Sequence, residues 1–143
     1  MPREQYKKDP FPFSADALGY LEGVTVSYRS NSSRTRPLLR YFGGLPYALP
    51  PTGPYRFRKP RALPDEYRYG TRANPGRFTR SAAICPQPEV GTKYPEALHD
   101  EDCLQLNIYI PTGSPPPSGW PVFFYIHGYV EWLWTGGVAC NTY

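Results

Sequence analysis

The 143-residue sequence has no run approaching the roughly 20 apolar residues of a membrane-spanning helix, so no such span lies within it. Core-forming residues are scarce: Leu, Ile, Val and Phe together number 28, about a fifth of the chain and at the border of disordered compositions. Uninterrupted helical windows are also missing, because 19 prolines recur along the chain, which excludes a helical bundle. Only two histidines are present, His99 and His127. The three cysteines, Cys85, Cys103 and Cys140, leave one over whichever pair forms. The first residues, MPREQYKKDPFPF, lack the apolar centre of a secretory signal. Taken as a true start, Met1 predicts a cytoplasmic protein; secretion is the alternative.

Basic residues are nearly absent from the second part of the chain. Residues 81–143 carry one Lys against six acids, whereas residues 1–80 carry 15 Lys and Arg against six acids. The overall charge of +4 thus hides segments of +9 and −5. Opposed segments suit either a nucleic-acid arm or two parts of one fold that face each other.

Against this background, 13 tyrosines add apolar bulk, and four segments read as strands. Val24, Val26 and Tyr28 alternate with Thr25 and Ser27, the period of a half-buried strand. Leu38–Phe42 is a second, joined to the first by the polar loop SNSSRTR (Ser30–Arg36) in a long hairpin. In LQLNIYI, Leu104, Leu106, Ile108 and Ile110 share one face, with Gln105, Asn107 and Tyr109 on the other. Val122–Ile126 (VFFYI) is apolar without alternation and predicts a strand covered on both faces. The loop TGSPPPSG (Thr112–Gly119) separates these last two. Residues 43–95 have little periodicity and predict coil, and only Pro95–Leu98 offers a helical turn. No amphipathic helix supplies the layers that a doubly covered strand requires. The expectation is therefore the beginning of a larger α/β or mixed-sheet protein.

Three motifs, in order, carry a family resemblance. YFGGLPYALPPTGPYRFRKP (Tyr41–Pro60) resembles the F-x-G-I-P-Y-A-x-P-P-x-G-x-x-R-F stretch of type-B carboxylesterases, the group of cholinesterases and fungal lipases. EDCLQLNIYIP (Glu101–Pro111) is similar to the family's E-D-C-L-x-L-N-I-Y-x-P signature, and PVFFYIHG (Pro121–Gly128) to the strand and turn before its oxyanion loop. The resemblance covers about residues 41–128 and leaves 129–143 as a divergent tail of a partial domain, 1–143. It implies the N-terminal portion of an α/β-hydrolase fold: a small N-terminal sheet plus the first strands of the main mixed sheet. It also implies a disulfide between Cys85 and Cys103, closing a proline-rich loop; two reduced thiols are the alternative in a cytosolic chain.

Ester hydrolysis in this family needs a serine on a strained strand-to-helix turn, a histidine base and an orienting acid. The G-x-S-x-G pentapeptide does not occur in residues 1–143, and Gly113-Ser114 sits in the proline loop. By resemblance His127 supports the oxyanion turn rather than acting as base, and His99, among acids in ALHDED, reads as a solvated residue. No catalytic residue, cofactor site or metal site is therefore expected here. The oxyanion donors of the family align with Tyr129 and Val130 after Gly128, where a β-branched residue and nearby Glu131 suit an oxyanion poorly. Thr135-Gly136-Gly137 is an alternative position for the glycine segment. The expected substrate of the complete protein is a small-molecule carboxylic ester.

Two other classes compete. Tyr55–Arg80 interleaves Arg and Lys with Tyr and Phe, a composition that can bind phosphates and stack bases, yet no nucleic-acid-binding motif accompanies it. A non-catalytic interaction module could instead use the disulfide loop and Trp132/Trp134, although those tryptophans read more simply as residues of an incomplete core.

Overall fold

A computed structural model describes residues 5–29, 34–87 and 98–126. The chain divides after Thr112 into two units. The first is built on strands β1 (Tyr6–Ser14), β2 (Tyr20–Arg29), β3 (Thr35–Pro46), β4 (Gly76–Arg77) and β5 (Gln105–Pro111). They form one sheet in the order β1-β2-β3-β5, with the short β4 alongside β2. All pairings are antiparallel except β2–β4.

Each strand follows from its residues. Val24, Val26 and Tyr28 form the middle of β2, which extends back to Tyr20. β2 and β3 pair antiparallel with Arg29 opposite Thr35, so β3 begins inside the expected SNSSRTR loop; residues 30–33 lie outside the described residues. β1 escaped the sequence pattern because Pro10 and Pro12 break its alternation. Proline is confined to sheet edges, where a missing N–H leaves no ladder bond unmade, and β1 occupies such an edge. Ser27 is buried despite its polar position in the alternation, because β2 is central and Lys7 and Pro37 flank it on either side.

Leu21, Phe42 and Leu45 make the core, with Phe11, Tyr69, Phe78, Leu106 and Ile110 packed against it. No large side chain among the described residues is completely enclosed. Phe42 meets Phe11 and Phe13 edge-on, at 5.9 and 5.8 Å between ring centroids. The aliphatic face expected of β5 is only partly inward: Leu106 and Ile110 reach the core, but Ile108 is 38% exposed. Residues 47–75 are coil with a 3-10 turn at Gly53–Tyr55. Contacts pin them, including Leu49 N to Arg61 O (2.9 Å) and Tyr69 Oη to Pro46 O (2.9 Å).

The second unit corrects one expectation. Val122–Ile126 is neither a strand nor covered. Phe123 and Phe124 are 88% and 74% exposed, and the whole VFFYI segment stands open. An apolar run without alternation suits a buried strand, but the described residues supply no neighbouring strand to pair with it. Within the expected helical turn, Pro95–Ala97 lie outside the described residues. Among the described residues, no helix is long and apolar enough to cross a membrane.

Candidate functional site

The polar network of the first unit lies where β3, β5 and the segment before Cys85 converge. A bulge interrupts β3 between Phe42 and Leu45, where it faces β5. Two glycines make it possible. A Cβ on Gly43 would lie 2.1 Å from both the Arg80 carbonyl oxygen and Tyr41 Oη, and Gly44 adopts φ +76°. The space so cleared admits the Arg80 backbone and the Tyr41 phenol, and opposite the bulge stands Asn107. Its Oδ1 accepts from Tyr41 Oη (3.2 Å), Gly44 N (3.1 Å) and Ala82 N (3.3 Å). One turn of the pleat earlier, Gln105 Oε1 accepts from Ala83 N (3.2 Å), while its Nε2 donates to Asp102 O (2.8 Å). The polar face of β5 thus binds a neighbouring stretch of backbone.

Beyond Ala83, Ile84 is held on both sides of His99, with Ile84 N donating to Leu98 O and Asp100 N donating to Ile84 O. Cys85 then lies against Cys103, joined by a disulfide with Cα atoms 5.2 Å apart. Closing this 18-residue separation contributes about 3 kcal/mol on a chain-entropy basis. His99 is half-buried rather than solvated: its Nε2 is enclosed and, like Asp102 Oδ1, has no partner among the described residues.

Arg56 links the two motif segments electrostatically. Its Nε and Nη2 meet Glu101 Oε1 and Oε2 at 2.5 and 2.7 Å, and the carboxylate raises the guanidinium pKa above its ordinary value. This pair joins the basic and acidic parts of the chain, whereas Lys7–Asp9 and Arg77–Glu22 stay within the first. Other basic residues of Tyr55–Arg80 also have internal duties. Arg61 lies over the Tyr55 ring at 3.5 Å and donates to Pro50 O, and Arg68 donates to Asp65 O and Tyr67 O. Tyr69 and Phe78 pack on each other, whereas Phe57 stands fully exposed. Burial of the Tyr41 phenol raises its pKa, against a hydrogen bond from Ser81 that lowers it.

Ser114 lies in an exposed loop, with no nucleophile turn around it. His127, Gly128, Tyr129, Val130, Glu131, Thr135–Gly137, the two tail tryptophans and Cys140 lie outside the described residues. Among the described residues, no three His, Cys, Asp or Glu side chains converge as metal ligands. Sequence reasoning missed Asn107 as a hub; the clue was its place on the polar face of β5, which the register sets opposite the Gly43-Gly44 bulge.

A sequence model of the carboxylesterase family matches residues 14–140, taking in the glycine bulge, the disulfide and both motif segments. The chain belongs to the carboxylesterase family. This carboxylesterase-family chain is 50% identical over 125 residues to a carboxylic ester hydrolase of Gibberella moniliformis, covering 87% of the chain and 22% of the relative. It is 36% identical over 132 residues to an uncharacterized esterase/lipase of Schizosaccharomyces pombe, covering 89% and 22%. A para-nitrobenzyl esterase of Bacillus subtilis is 33% identical over 116 residues, covering 79% and 22%. The chain thus spans about a fifth of the length of the carboxylesterase relatives it matches.

Proposed function

We propose that these residues are part of a serine carboxylic-ester hydrolase of α/β-hydrolase fold, and that they form the N-terminal portion of its domain. In the complete protein a serine outside residues 1–143 forms the acyl-enzyme, with a histidine base and an acid that also lie beyond them. Its substrates are small-molecule carboxylic esters, and the mechanism calls for no cofactor or metal. The oxyanion loop falls at Gly128–Val130, with 129–143 as its divergent continuation. The observation that carries this reading is the family match over residues 14–140 combined with coverage of 22% of the first relatives. Relatives named as ester hydrolases and esterases support the reaction class. The Cys85–Cys103 bond favours an oxidising compartment, hence secretion over a cytoplasmic location.

Residues 1–143 alone are then inactive. An activated ester such as p-nitrophenyl acetate tests this: hydrolysis by the 143-residue chain should equal that of a denatured control. Turnover above that control would overturn the reading. Sequencing the transcript downstream should reveal an in-frame G-x-S-x-G segment.

A further inference from the structure

The disulfide lies at the end of a backbone segment that hydrogen bonds also hold. Ala82 and Ala83 are held by the side-chain oxygens of Asn107 and Gln105, and Ile84 by the backbone beside His99. Cys85 follows directly, while Cys103 precedes Gln105 by two residues on the chain that carries both amides. Asn107 is the centre of this arrangement, because the same oxygen also holds the Gly44 amide and the Tyr41 hydroxyl. Three cysteines permit three pairings, Cys85–Cys103, Cys85–Cys140 and Cys103–Cys140.

We propose that Asn107 is a positioning residue for disulfide selection: its side-chain oxygen sets the Arg80–Ile84 segment against β5 before oxidation, so that Cys85 meets Cys103 in preference to Cys140. The oxidant is a small-molecule disulfide such as oxidised glutathione. One cysteine thiolate attacks it, giving a mixed disulfide and one glutathione thiol. The other thiolate then attacks the cysteine sulfur of that mixed disulfide and expels the second glutathione. Two cysteine protons end on the two glutathione thiols, the cysteines lose two electrons and the glutathione disulfide gains them. Asn107 takes no part in these bonds; it raises the effective concentration of one thiol near the other. The inference is independent of the activity of the complete protein.

The test uses the whole 143-residue chain, reduced and then oxidised with glutathione disulfide, with pairings read by peptide mapping under non-reducing conditions. Cys85–Cys103 should exceed either Cys140 pairing by more than about tenfold, the roughly three- to fivefold advantage of its shorter loop multiplied by the factor one net hydrogen bond sets. Asn107→Ala should lower the preference to the roughly three- to fivefold that the shorter loop alone sets, and Asn107→Asp, which keeps an acceptor at the same place, should restore it. Hydrogen exchange on the reduced wild-type chain gives a readout that needs no variant: the Gly44 and Ala82 amides should stay protected before any disulfide forms. Unchanged pairing in Asn107→Ala, failure of Asn107→Asp to restore it, or rapid exchange of both amides in the reduced chain would each overturn the proposal.

Discussion

The Arg56 guanidinium meets the Glu101 carboxylate side-on, with two nitrogens on two oxygens at 2.5 and 2.7 Å, and so ties the first family motif to the second. Both groups remain in contact with solvent, which screens the attraction. Glu101→Gln should therefore lower the urea midpoint only slightly, and raising the salt concentration should shrink the difference between variant and wild type. A large loss that persists in high salt would show that the pair has a structural role beyond its charges.

Gly43 faces a harder constraint than any charge pair. A methyl group there would collide with backbone and phenol oxygens at 2.1 Å, so β3 or the Arg80 segment would have to move. Gly43→Ala should cost about 1–3 kcal/mol in chemical denaturation. An unaltered midpoint would contradict the close approach.

The covalent link should matter on a similar scale. Replacing both Cys85 and Cys103 by alanine should remove about 3 kcal/mol, the loop-closure contribution of this separation. Equal stability of the doubly substituted and oxidised chains would contradict the bond.

Alkaline titration gives a prediction whose sign is fixed by burial. Tyr41, Tyr67 and Tyr69 all have pKa values raised above 10.0, with desolvation of the phenolate the leading cause. The folded state therefore holds these protons more tightly than the unfolded chain. The associated stability is complete below pH 10 and is lost as pH rises through the folded-state values. Tyr41→Phe should flatten the fall of stability above pH 10, read by denaturation at a series of pH values. An identical slope in variant and wild type would place the titration elsewhere.

The exposed VFFYI segment has no charge and no proline to keep strands apart. The 143-residue chain should self-associate with rising concentration, and Phe124→Lys should suppress this without lowering stability. Sedimentation at several concentrations measures it. A chain that stays monomeric would remove the case for a sticky segment.

Much of the first unit was legible because local chemistry and tertiary context agree there. Val24–Tyr28 and Leu38–Phe42 lie within strands and β5 begins one residue after Leu104, but of the stretch 43–95 expected as coil, residues 43–46 complete β3 and Gly76–Arg77 form β4. β1 was hidden because edge position, which sequence periodicity cannot express, is what makes its prolines tolerable. VFFYI misled for the opposite reason: a doubly covered strand is a property of its neighbours as much as of its residues. The family resemblance implied the Cys85–Cys103 pair, but the bond network of Asn107 depends on a register between β3 and β5 set 63 residues apart in sequence.

The central claim is that the chain is part of a serine ester hydrolase whose nucleophile lies elsewhere in the complete protein. Labelling with a fluorophosphonate, which phosphonylates activated serines with loss of fluoride, tests it most directly. The complete protein should carry one label per molecule on the serine of a G-x-S-x-G segment, and residues 1–143 should carry none. A label on any serine of the 143-residue chain, or no label on the complete protein, would contradict the account.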